Sequence, residues 1–91
     1  MYIESAKLTF NISYAESLKD KRQVARSITD KIRQRFNISV AEVDTQDIHQ
    51  TLTIGVAVIS GDAGHARQSL DAAIRFIEEY TDAELREVIR N

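Results

Sequence analysis

Two groups of side chains in this 91-residue chain have residue types and spacings that could do chemistry. The first is Lys19, Arg22, Arg26 and Arg33, within "SLKDKRQVARSITDKIRQRF", Ser17 to Phe36. That stretch holds seven of the chain's twelve lysines and arginines, although the whole chain carries a net charge of −2. Placed on a helix at 100° per residue, the four cations fall within an arc of roughly 60° and form one row along the flank. Ammonium and guanidinium groups in a row neutralise phosphates and so position a nucleic acid without reading its sequence. Asp30 lies four residues after Arg26 and three before Arg33, and neutralises part of the row. Lys21 falls nearer the apolar side of the same helix. Its stem is expected to cover the edge of the core while its amine reaches water, where it would join the phosphate contacts.

The second group is Glu42, Asp44, Asp47 and His49, four residues within a span of eight. Carboxylates with a histidine can ligate a divalent metal or share acid–base work. Asp is also an ordinary turn former, and "DTQD" reads as the turn between two strands. The turn is the expectation, with neither a metal site nor a catalytic one. Gly61-x-x-Gly64 in "SGDAGHAR" precedes a helix but lacks the Walker spacing and lysine, and Asp62 would repel a phosphate. There is no cysteine, which excludes disulfides, thiolate metal sites and a thiol nucleophile. A non-enzymatic protein is expected, with no cofactor and no small-molecule substrate.

The elements that must position these residues follow from periodicity. Ala6, Leu8, Phe10 and Ile12 alternate with Lys7, Thr9 and Asn11, the period of a half-buried strand. Ser17, three residues before Asp20, is a helix N-cap with an acidic first turn. Val24, Ala25, Ile28, Ile32 and Phe36 then recur at helical spacing, which predicts a helix over Leu18–Phe36. "ISVAEVD" and "TLTIGVAVIS" read as two strands, and Asp62 as the N-cap of a second helix with Ala66, Leu70, Ala73, Ile74 and Ile77 as its apolar stripe. "AELREVI" reads as a weak, short last strand. The order β-α-β-β-α-β predicts an α+β, ferredoxin-like fold: a four-stranded antiparallel sheet with two helices on one face.

In that fold the first and third strands are central. Their open face would present Ser5, Lys7, Thr9 and Asn11 beside Thr51, Thr53, Gly55 and Ala57. No aromatic stands at these positions, so the base-stacking surface of an RNA-recognition module is excluded. The face is instead expected to be flat and threonine-rich. Thr9, Thr51, Thr53, Gly55 and Ala57 are candidates for a homodimer contact, since small domains often pair through exposed sheet.

Size and composition set the frame. Ninety-one residues with 43% apolar and 29% charged content predict a single globular domain over residues 1–91. "MYIESAKLTFNI" is interrupted by Glu4 and Lys7 and does not read as a signal peptide. The longest uncharged stretch is too short for a bilayer span. A cytoplasmic protein without membrane contact is the expectation.

"SLKDKR", "RFNISVAEVDTQD", "IGVAV" and "RFIEE" together resemble the YlxP-like family of small bacterial proteins, over nearly the whole chain. The matching positions are Ser17, Leu18, Lys19, Lys21 and Arg22, then Glu42, Asp44, Gln46 and Asp47; His49 departs from the aromatic or apolar residue expected there. The resemblance implies the ferredoxin-like fold. Through the neighbourhood of such genes to those for translation initiation and ribosome maturation factors, it also implies a role around ribosomal or other structured RNA. It supplies no catalytic residues.

Overall fold

The computed structural model describes all 91 residues. The chain runs β1 (Tyr2–Asn11), α1 (Leu18–Arg35), β2 (Ser39–Glu42), β3 (Thr51–Ser60), α2 (Ala63–Tyr80) and β4 (Glu84–Arg90). The sheet order is β2-β3-β1-β4, and every pairing is antiparallel. α1 packs on β2 and β3, α2 on β1 and β3, and the helices also touch each other. This is the α+β ferredoxin-like arrangement predicted from the element order.

Alternation puts Ala6, Leu8, Phe10, Leu52, Ile54, Val56 and Val58 on the helix side of the two central strands, all within the core. Ile28 and Ile32 of α1 and Leu70 and Ile77 of α2 meet them there, each 1% exposed or less. The helix starts follow the sequence signals. Ser17 Oγ accepts from the Asp20 N–H at 3.1 Å, and Asp20 Oδ2 reaches back to accept from the Glu16 N–H at 2.9 Å. Asp62 Oδ1 accepts from the His65 N–H at 2.7 Å. α1 ends one residue before the predicted boundary, with Phe36 as its C-cap.

Two elements differ from expectation. β2 covers four residues rather than seven, because Asp44 takes φ 61° and ends the ladder just after the Val43 N–H bonds to Thr53 O. Aspartate is among the few non-glycine residues that tolerate this region. β4 is stronger than its sequence suggests: it pairs with β1 from Asn11 back to Ala6, with a register shift between Thr9 and Phe10. Only Leu85 of β4 packs against the core, so the strand is held largely by its backbone ladder. Its charged residues, Glu84, Arg86, Glu87 and Arg90, protect a free edge from adding another strand.

Candidate functional site

Arg22, Arg26 and Arg33 of the basic row form one wall of a groove between α1 and the free edge of β2, and Lys19 lies beyond its end. Lys19, Arg22, Arg26 and Arg33 are all exposed. Arg33 Nη2 donates to Val40 O at 2.9 Å, a carbonyl on the free edge of β2, so this guanidinium is pinned across the groove. Its pairing with Asp30 is loose, at 3.8 Å between well-exposed groups, and contributes little. Lys19, Arg22 and Arg26 make no ion pair. The groove has a volume of about 370 Å³ and is lined by Arg22, Arg26, Thr29, Asp30, Arg33 and Glu42, among others.

Lys21 departs from expectation. It lies near the apolar side of α1, as its angular position requires, but its amine does not reach water: the residue is 0% exposed. Nζ donates to the carbonyls of Thr45, Ile48 (2.5 Å) and Thr51 (3.2 Å), and sits 3.1 Å from Glu42 Oε2. These carbonyls converge because the β2–β3 connection turns twice. The Thr45 N–H bonds back to Val43 O around Asp44, and the Ile48 N–H bonds to Thr45 O. An ammonium with three donors is saturated by three carbonyls. Glu42 Oε2 is therefore left with an electrostatic partner and no hydrogen bond of its own. Lys21 is the clamp of the loop and is not available to phosphate.

The second group of sequence candidates is divided by the same loop. Glu42 faces Lys21, while Asp44 Oδ2 accepts from Lys7 Nζ at 2.7 Å on the opposite, open side of the sheet. That hydrogen bond and the charge of Asp44 hold the Lys7 amine above its ordinary value of 10.5. Asp47 and His49 are exposed on the loop. The four residues therefore do not converge on a common point, and no group of three or more ligating side chains forms elsewhere in the chain.

The open face is also not the flat threonine surface expected. The loop folds over its middle: Thr45 Oγ1 donates to Thr53 Oγ1 at 3.0 Å, and Val43 stands over Gly55, 3.4 Å from where a Cβ would lie. Thr53 is 3% exposed and cannot touch a partner. Thr9, Thr51, Gly55 and Ala57 remain partly exposed. The apolar part of this face lies further along, where the cross-strand partners Ile3 and Ile59 are 59% and 64% exposed.

A feature the sequence reading missed lies on the far flank of α1. Phe36 and Phe76 meet edge to face at 5.8 Å, and Phe76 stacks on Tyr80 at 5.6 Å and 14°. Tyr80 Oη and Ser27 Oγ are 2.6 Å apart, which links the two helices. Phe76 and Tyr80 at i,i+4 were a legible pair; Tyr14, which lines a cleft with Tyr80 and Ser27 between the two helices, comes from the β1–α1 connection and carried no such signal.

No helix is long and apolar enough to cross a membrane. A family model described as "Protein of unknown function (DUF503)" matches residues 3–90. The chain is 31% identical over 70 residues to "Uncharacterized protein YlxP" of Bacillus subtilis (strain 168), covering 77% of this chain and 76% of that relative. The family model spans nearly the whole chain and the relative is matched over about three quarters of each chain, and the chain belongs to the DUF503, YlxP-like family.

Proposed function

We propose that this protein is a non-enzymatic accessory factor that contacts ribosomal or other structured RNA through the basic flank of α1. The observation that carries this reading is the row Lys19, Arg22 and Arg26, exposed and free of ion pairs, with Arg33 anchored to Val40 O at the end of the same groove. A rigid helix holds these cations in fixed spacing, and the nearby carboxylate of Glu42 is already turned to Lys21. Phosphate contact of this kind positions the protein without sequence selectivity.

Affinity should fall with salt, with a log–log slope of about −0.7 to −0.9 per phosphate neutralised. The test is co-sedimentation with ribosomal particles. Arg22→Glu/Arg26→Glu, which leaves the Arg33–Val40 contact intact, is expected to abolish association at physiological salt, and Arg33→Glu added to it should do no less. Unchanged association of the double variant removes the basic row from the account.

A second reading, pairing of two copies through the open face, is favoured by the exposed Ile3–Ile59 pair. Ile59→Arg is the variant that tests it, because Thr53 is covered. A dimer in light scattering that becomes monomeric in Ile59→Arg supports it; a wild-type monomer at high concentration ends it.

A further inference from the structure

The cleft between the C-terminal end of α2 and the first half of α1 encloses about 440 Å³ and lies on the opposite flank of α1 from the basic row. Its walls are Tyr14 and Tyr80, 54% and 40% exposed, its floor is Val24 and Ile28, and Asp82 stands at its rim. Tyrosine suits binding surfaces because its ring is apolar and its hydroxyl polar, and here two such rings border one concavity. Tyr80 is not free to swing. Its ring stacks on Phe76 and its hydroxyl is tied to Ser27, so one ring face is covered and the side chain is oriented in advance.

The side chains at the α2 end of the cleft are acidic, while Lys31, four residues after Ser27, stands on the same flank of α1. Asp82 forms no ion pair, and the last turn of α2 carries Glu78 and Glu79 with no basic residue. The carbonyl end of the helix adds to this potential. Burial, and then the charge of Asp82, hold the Tyr14 phenol above its ordinary value of 10.0, so Asp82 acts on the same wall of the cleft. The Asp82 carboxylate disfavours a phosphate or a free carboxylate at this rim. The aromatic file also shows which group it accepts: Arg35 lies over Phe76, with Cζ 4.7 Å from the ring centroid. Tyr14 and Tyr80 offer comparable rings with a carboxylate beside them and no cation of their own.

We propose that the Tyr14–Tyr80–Asp82 cleft binds an arginine side chain of a basic protein segment. The planar guanidinium stacks on tyrosine by cation–π attraction and donates to the Asp82 carboxylate, a combination an ammonium satisfies less well. Gln23, at the same rim, supplies an amide that can accept a further N–H. Together with the phosphate-facing flank, the protein would then have a cation site and an anion site on two sides of one helix. Neither depends on the other, so each can fail alone.

The probe is a blocked Gly-Arg-Gly peptide titrated into the millimolar range against the full chain, followed by amide and tyrosine ring resonances. The controls are the citrulline peptide, which keeps the shape and loses the charge, and adenosine. Saturable shifts at Tyr14, Gln23, Tyr80 and Asp82 are expected with the arginine peptide. Asp82→Asn and Tyr14→Leu, both at exposed loop positions, should each weaken binding by about 2- to 5-fold, and citrulline should bind weaker by at least as much. The proposal is overturned by equal binding of citrulline, by no saturable shift at these residues, or by adenosine occupying the cleft in preference to arginine.

Discussion

Lys21→Met is expected to destabilise the protein by about 3–5 kcal/mol, the usual cost of removing one partner from a buried ion pair. The substitution keeps most of the stem's volume, so packing is not the cause. It leaves Glu42 facing a region without its cation, and strips the carbonyls of Thr45, Ile48 and Thr51 of a shared donor. For a chain of this length total stability is of the order of 5–14 kcal/mol, so the loss is a large part of it. Glu42→Leu combined with Lys21→Met should recover part of the loss, since it removes the orphaned charge but not the orphaned carbonyls. Urea unfolding of the single and double variants separates the two contributions. A single variant within about 1 kcal/mol of wild type would mean that the amine is solvated rather than caged. Hydrogen exchange adds a spatial check: protection at Val43, Thr45 and Ile48 should fall before that of β1.

The second large effect is expected at Phe10. It is fully buried, stands opposite Leu52 of β3 and Leu85 of β4, and lies at the register shift between β1 and β4. Phe10→Ala should cost about 3–5 kcal/mol, from lost transfer energy and from the cavity left behind. In thermal unfolding that corresponds to a fall of roughly 12–40 °C at about 4–8 °C per kcal/mol for a domain near this size. β4 should loosen first, because Leu85 is its only side chain packed on the core and Phe10 is its cross-strand partner. Faster exchange of the Glu84–Arg90 amides at temperatures where β3 stays protected would bear this out. A change in melting temperature of only a few degrees would show that the neighbours close over the missing ring.

Much of the fold was legible from local pattern. Alternation in Ala6–Ile12 and Leu52–Val58, and the helical recurrence of Ala25, Ile28 and Ile32, report which side of each element avoids water. Those sides are the core observed here. The capping signals at Ser17 and Asp62 were equally local, and both are made. β4 was harder to read because its sequence, "ELREVIR", buries almost nothing; its pairing comes from backbone groups that any sequence possesses.

The candidate sites divide along the same line. The row Lys19, Arg22, Arg26 and Arg33 is a property of one helix, and the spacing alone placed it on one flank. Lys21 is on that helix too, and its angle was legible, but the direction of its amine was not. It is set by carbonyls 24 to 30 residues away along the chain. Thr53 likewise lies on the predicted face of β3, and only the folding of Val43–Thr45 over it decides that it is covered.

The elements, their apolar faces and the basic row are properties of local pattern, because each depends on residues within a few positions of one another. The tertiary structure alone decided where polar ends terminate: Lys21 in a cage of carbonyls, Asp44 on Lys7, and Tyr14 beside Tyr80 and Asp82. A long side chain reaches whatever the fold brings within hydrogen-bond distance, and periodicity along one segment holds no information about the segment that arrives there.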